Sequence, residues 1–343
     1  MALGYLEIAD HFEGEILSGK LRINDRLPTT TELSEQFGVA PLTIQRSLKR
    51  LSAKGLVRRK PRQGTVVCGA QLATDRVAAL FGDDPFALES PFFRLMIQAL
   101  LAAGKEQGIM IQSFFALDRR LDHGFFADME EKLQAENIKC VLGLCRNPRL
   151  EAWLDTLPNV SWLDLPGFDI YHAAFDAVEH LLARGRRDIL TLSMFPKGED
   201  YELDWQLEAR GVKDAMLAAG LAPVGHEPVR CGQLERDGYN YMKRQIESGV
   251  RFDAVLVMHD VLCRGVVTAL LEKNLRIPQE VALLTHCNKG ADIIAPVALT
   301  RLEADPREVA EATLDFVRNG WLKPGKNVIE KKLRMRLIEG AST

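Results

Sequence analysis

The 343 residues contain no long apolar run: stretches such as "DAVLVM" and "VALLTHC" break within a few residues, far short of the ~20 that span a bilayer. The N-terminus, "MALGYLEIADHFEGE", has neither the basic flank nor the apolar core of an export signal. A cytoplasmic location with no membrane partner is the expectation. Cysteine is scarce, six in all at positions 68, 140, 145, 231, 263 and 287, with no Cys-x-x-Cys pair and no zinc-ligand spacing to histidine. Reduced, buried thiols and no bound metal follow. Also missing are a Gly-x-Ser-x-Gly elbow, a Gly-x-x-x-x-Gly-Lys-[Ser/Thr] loop, a His-Glu-x-x-His pair and a strand-following Gly-x-Gly-x-x-Gly. The adjacent Asp83 and Asp84 come with no further ligand motif and read as a helix-capping loop. Neither enzymatic activity nor a cofactor is expected.

What is present is the composition of a folded chain, 47% hydrophobic and 27% charged, at a length that exceeds one ordinary domain. The net charge of −3 conceals an asymmetry: residues 1–70 hold 11 Lys and Arg against 7 Asp and Glu, the remainder 33 against 40. Within 45–62, Arg46, Lys49, Arg50, Lys54, Arg58, Arg59, Lys60 and Arg62 meet no acid. Such a block suits a polyanionic partner.

The apolar spacing of Leu6, Ala9, Phe12, Ile16 and Leu17 predicts a helix over 5–17. Thr29 and Glu32 form a capping box that opens a second helix, "TTELSEQF", and Gly38 ends it. Pro41 suits the first turn of a third helix running to about Lys54; "LVRRKP" and "GTVV" then read as short strands around a turn at "RQG". Three helices and a hairpin in this order make a winged helix-turn-helix. On the third helix Ile44, Leu48 and Leu51 form a core stripe, while Leu42, Arg46, Lys49 and Arg50 fall roughly opposite. A helix fits the major groove, where Arg reads guanine and Lys or Arg neutralises phosphates.

The motifs "ILSGKL", "RLPTTTEL", "FGVAPLTIQR", "LKRLSAKGLV" and "GTVV" resemble those of the DNA-binding domain of GntR-type bacterial transcription regulators. The resemblance implies double-stranded operator DNA as the partner, met by Thr30, Thr31, Thr43, Gln45, Arg46, Lys49 and Arg50, with Gln63 and Gly64 on the wing. Where that family has reading arginines, this chain has Thr31, Pro41 and Gln45, and Ala40 stands where a serine cap is usual. Gln45 pairs well with adenine, so the preferred operator is expected to differ from those of relatives.

From about Thr74 apolar runs ("RVAALFG", "KCVLGLC", "VSWLDL", "RDILTLS", "DAVLVM", "VALLTH") alternate with amphipathic helical stretches that stop at Gly or Asn. That texture calls for α/β architecture, parallel sheets covered on both faces. Its length fits two doubly wound lobes with a ligand cleft at the strand ends between them. The expected domains are a winged helix-turn-helix at 1–67, a linker at 68–75 and a two-lobed sensor at 76–343.

"SPFFRLMIQALLAAGKEQGI", "DIYHAAFDAVEHLLARGRRDI" and "FDAVLVMHDVLCRGVVTALLEKNLRIPQEVALL" resemble the effector-binding domain of LacI/GalR-type repressors, a relative of periplasmic sugar-binding proteins. The fusion is similar to arabinose-repressor-like regulators. The resemblance implies that Arg210, in "ARGVKDAM", and Asp260, in "MHDVL", bond ligand hydroxyls. Phe92, Phe93 and Trp162 are the aromatics expected near the cleft. His259 replaces the family's asparagine before Asp260, and His286, Cys287 and Asn288 replace a later motif, which places His286 among the candidate effector residues. The expected function is a ligand-responsive repressor, a homodimer on a palindromic operator, with a sugar or related polyol in the interlobe cleft. The alternative is a DNA-binding regulator whose sensor-fold domain serves dimerisation or protein contact alone.

Overall fold

Helix α1 (Tyr5–Leu17), α2 (Thr30–Phe37), α3 (Pro41–Ala53) and the antiparallel hairpin of β1 (Val57–Lys60) and β2 (Gly64–Val67) follow the order expected from sequence. The computed structural model describes residues 4–17, 20–21, 25–53, 56–60, 64–67, 76–81, 91–115, 123–144, 148–193, 195, 199–223, 225–319 and 322–343. The expected linker at 68–75, Gln63, the loop with Asp83 and Asp84, and Cys68 and Cys145 lie outside the described residues.

The N-terminal core gathers Ile8, Phe12 and Ile16 of α1, Leu33 of α2, Ile44 and Leu51 of α3, and Val57 and Val67 of the hairpin. Leu6, expected inside, is 42% exposed. Thr29 Oγ1 accepts from Glu32 N at 3.3 Å while Glu32 Oε2 accepts from Thr29 N at 2.6 Å. This capping box satisfies two helix-end donors at once. Gly38 closes α2 at φ 61°, a left-handed position that favours glycine. Thr29→Ala is expected to destabilise the domain by about 1 kcal/mol. That corresponds to roughly 4–8 °C off the midpoint of thermal loss of operator binding, and an unchanged midpoint would show that α2 does not depend on its cap.

The chain then runs through β3 (Arg76–Phe81), α4 (Pro91–Gln107), β4 (Met110–Phe115), α5 (His123–Ala135), β5 (Cys140–Gly143), α6 (Pro148–Thr156) and β6 (Ser161–Asp164). It continues with α7 (Ile170–Ala183), β7 (Ile189–Ser193), α8 (Glu199–Ala218), β8 (Val229–Arg230), α9 (Glu235–Glu247), β9 (Ala254–Val257) and α10 (Asp260–Glu272). The last elements are β10 (Ala282–Asn288), β11 (Thr300–Ala304), α11 (Pro306–Asn319), β12 (Gly325–Asn327) and β13 (Arg336–Ile338).

Two compact units result, one comprising Met1–Phe81, Leu101–Leu165 and Glu311–Ile329, the other Gly82–Leu100, Pro166–Ala310 and Glu330–Thr343. The first holds a parallel sheet ordered β12-β6-β5-β3-β4; the second a sheet ordered β13-β11-β10-β9-β7-β8, parallel except for β13. In both, the first strand in sequence lies inside the sheet and the second at an edge, the doubly wound pattern expected. The switch point of the second sheet therefore falls between β7 and β9.

The second sheet is buried on both faces. Ala254, Leu256, Ala282 and Leu284 pack beneath α7 and α8, while Val255, Val257 and Leu283 pack with α9 and α10. Helices α9 and α10 cross at glycines. A Cβ on Gly265 would stand 1.9 Å from Glu235 O, and one on Gly238 2.3 Å from Leu262 O.

Candidate nucleic-acid interface and effector site

Helix α3 is fixed from behind. Ile44 and Leu51 are buried and Leu48 packs half-buried against the same core, while Ser47 Oγ donates to Tyr5 O at 2.8 Å and to Thr43 O at 3.0 Å, so serine joins the stripe of Ile44, Leu48 and Leu51 that apolar spacing predicts. Gln45, Arg46, Lys49 and Arg50 stand exposed on the outer side. Arg50 leans back to within 3.9 Å of Asp10, an exposed pair of little energetic weight. Thr31 is exposed, and Thr30 and Thr43 are half-buried. The hairpin adds Arg58 and Arg59, both exposed.

Arg26 was not foreseen. Its backbone bridges Val66, with Leu27 N donating to Thr65 O at 2.9 Å and Val67 N to Asp25 O at 2.8 Å. The segment before α2 thus becomes a third strand of the wing. The Arg26 guanidinium stands against Gly64, 3.1 Å from where a Cβ would be.

In the second unit, polar side chains converge beyond the carboxyl ends of β7, β9 and β10. Asp260, 0% exposed, opens α10, and its carboxylate accepts from Val261 N at 2.9 Å and from Asn288 Nδ2 at 3.0 Å. His259 caps the same helix through Nδ1, and its ring stacks 6.4 Å from that of His286. Burial drives the His259 pKa down to about 4 and lowers that of His286, so both imidazoles are neutral near pH 7. At the end of β7, Ser193 Oγ donates to Glu208 Oε2 at 2.9 Å. Glu208 is 0% exposed, and burial pushes its carboxyl up to about 8.

Residues 4–67 match the family model "Bacterial regulatory proteins, gntR family", and residues 178–343 match the "Periplasmic binding protein-like domain". The chain joins a GntR-type helix-turn-helix to a periplasmic-binding-protein-like domain. This is the domain pairing of a DNA-binding transcription regulator. It is 24% identical over 341 residues to the HTH-type transcriptional regulator GntR of Pseudomonas aeruginosa, covering 90% of this chain and 93% of that protein. Among solved structures, the transcriptional regulator CelR in complex with cellobiose superposes with a TM-score of 0.59 at 18% identity, covering 92% of this chain and 100% of that one. The lac repressor dimer bound to operator and an anti-inducer gives 0.60 at 16% identity, covering 79% of this chain and 94% of that one. At these identities the structures establish the fold.

Within the periplasmic-binding-protein-like domain, Asp260 and His286 stand at the strand ends as expected, joined by Asn288. Phe92 and Phe93 pack edge to face on the first turn of α4, and Leu95 Cδ2 of the same helix stands 3.2 Å from where a Cβ on Gly290, just beyond β10, would be.

Two expectations need correction. Trp162 is 1% exposed in β6, packed with Val141 and Leu154, its Nε1 donating to Asp155 Oδ1 at 2.8 Å. It is a core residue because β6 is an inner strand, flanked by β5 and β12. Arg210 projects outward, its side chain 71% exposed, 3.5 Å from Asp214 and over the Tyr171 ring. It borders a surface depression with Trp205, Lys213 and His226. Gly211 sets this phase: a Cβ there would meet Tyr171 O at 2.3 Å. With Gly211 held against α7, Glu208, Val212 and Ala215 face the sheet, so the residue of α8 that reaches the strand ends is Glu208.

Proposed function

We propose that this regulator is a ligand-responsive repressor that acts in the cytoplasm as a homodimer on a palindromic double-stranded operator. The observation that carries the reading is the exposed row Gln45, Arg46, Lys49 and Arg50 on a helix anchored from behind by Ile44, Ser47 and Leu51. Thr30, Thr31, Thr43, Gly64 and Gln63 complete the set expected at DNA, and Arg26 joins them at the wing. Operator half-sites one helical turn apart would mirror the two-fold of the dimer. A small-molecule effector, a sugar or polyol, is assigned to the strand ends of the second unit beside His259, Asp260 and His286, with Phe92 and Phe93 nearby. It need only favour one arrangement of the protein to shift DNA affinity, typically by 1–3 kcal/mol. Among the described residues no helix is long and apolar enough to cross a membrane.

Operator titrations test the assignment. Arg46→Ala is expected to weaken specific binding by about 1–3 kcal/mol, roughly 5- to 150-fold, and to relax preference at one base pair. Lys49→Ala is expected to weaken binding across sequences and flatten the salt dependence by about one counterion. Equal affinity of wild type and Arg46→Ala at low and moderate salt would remove α3 from the interface.

A further inference from the structure

Among the described residues, two buried polar atoms at the strand ends of the second unit lack a hydrogen-bond partner: Glu208 Oε1 and His286 Nδ1. They belong to one place in the fold. Leu192 of β7 pairs with Val257 of β9, and Val257 with Thr285 of β10. Ser193 and His286 therefore each stand one residue beyond that row and, by strand alternation, on the opposite face. That face packs Met258, Val212 and Met216, and Glu208 reaches Ser193 from the same side on α8. The anchoring strands, β7 and β10, flank β9 at two strand spacings, about 10 Å, the span of a hexose with its hydrogen-bonding groups. Between β7 and β9 lies the topological switch point, where open parallel sheets receive ligands.

Among the described residues, the chemistry of the place is acidic and short of donors. The Glu208 hydrogen bond comes from a neutral hydroxyl, and the bonds holding Asp260 come from a backbone N–H and a side-chain amide. The Arg230 guanidinium, whose charge acts on Glu208, is already paired with Glu202 at 2.7 Å. Both histidines are neutral. A buried carboxyl oxygen without a partner is expensive; near pH 7 Glu208 keeps its proton, and an incoming ammonium would let it ionise by supplying both a donor to Oε1 and a counter-charge.

We propose that the effector is an amino sugar, a hexose-sized polyol bearing a basic nitrogen, and that Glu208 is the carboxylate that receives this nitrogen. Glu208 is then the residue that sets specificity, and His286 Nδ1 meets a ligand hydroxyl. The inference rests on the small-molecule reading of the second unit.

The test uses the full chain, with thermal unfolding and operator titration in glucosamine, galactosamine and mannosamine against glucose, galactose and mannose. At least one amino sugar is expected to raise the unfolding midpoint and shift operator affinity, binding at least about tenfold tighter than its parent sugar. Glu208→Gln is expected to equalise the two, its own unfolding transition showing that the variant is folded, while Glu208→Asp keeps the preference at reduced affinity. A parent sugar that binds as tightly as its amine, or a preference that survives Glu208→Gln, overturns the amine assignment and leaves the small-molecule reading standing. No response to either set by protein that binds operator overturns both.

Discussion

Gly265→Ala is expected to lower the unfolding free energy of the second unit by about 3 kcal/mol or more, at the upper end of overpacking costs. The added methyl would lie 1.9 Å from Glu235 O and 2.6 Å from Tyr239 N. Both are backbone atoms of α9, so no side-chain rotation relieves the overlap. Helices α9 and α10 must separate by more than an ångström, and the apolar layer of Met242, Leu262 and Val266 beneath them opens with them. Gly238→Ala strains the same crossing from the other side, and because one separation relieves both, the double variant should cost less than the sum. Urea unfolding followed by far-UV circular dichroism reads the effect. A Gly265→Ala midpoint equal to wild type would mean that the two backbones do not meet.

The second large effect depends on pH. Glu208 is buried against an apolar face, and burial outweighs the opposing pull of the Ser193 hydroxyl and the Arg230 guanidinium, raising its pKa from 4.5 to about 8. The folded state thus holds the Glu208 proton more tightly than the unfolded chain. The stability this confers is complete below pH 4.5 and is lost as pH rises through about 8. At 1.36 kcal/mol per pH unit, the loss is on the order of 5 kcal/mol. Glu208→Gln keeps the shape and cannot ionise, so it is expected to match wild type near pH 5 and to exceed it by several kcal/mol at pH 9, in denaturant titrations at pH 5, 7 and 9. An advantage that does not grow with pH would mean that Glu208 ionises freely. The sign reverses at His259, whose pKa falls from 6.5 to about 4. Its contribution is present above pH 6.5 and lost as pH falls through about 4, so acid destabilisation should soften in a variant lacking it.

The DNA-binding domain was legible because its signals are local. The capping box at Thr29 and Glu32, the stop at Gly38 and the start at Pro41 each act within one turn, and the structure repeats them. The bridge from Arg26 to Val66 joins residues far apart in sequence, and nothing near Arg26 announces it. In the larger part, strands with neighbours on both sides, such as β5 and β9, appeared as continuous apolar runs. β4 did not: it is an edge strand, and Gln112 and Ser113 interrupt it. Helix α9, "ERDGYNYMKRQIE", buries only Gly238 and Met242 completely among its residues, too little for periodicity to show. The resemblance points to Arg210, whereas helical phase at 208, 212 and 215 marks the inward side. Burial of a glutamate is the last thing such patterning suggests. Trp162 lay in an apolar run whose continuity already implied a strand covered on both faces.

The clamp between α9 and α10 gives the second unit a mechanical property. Asp260 is the first residue of α10, His259 caps it, and Gly265 locks the same helix to α9 a little more than one turn later. No compressible side chain separates the backbones there, while Tyr239 and Lys243 of α9 grip Glu272 near the other end of α10. A displacement at Asp260 would therefore be passed to both helices at this clamp. An occupant of the strand ends that moves Asp260 would then act on the orientation of this helix pair.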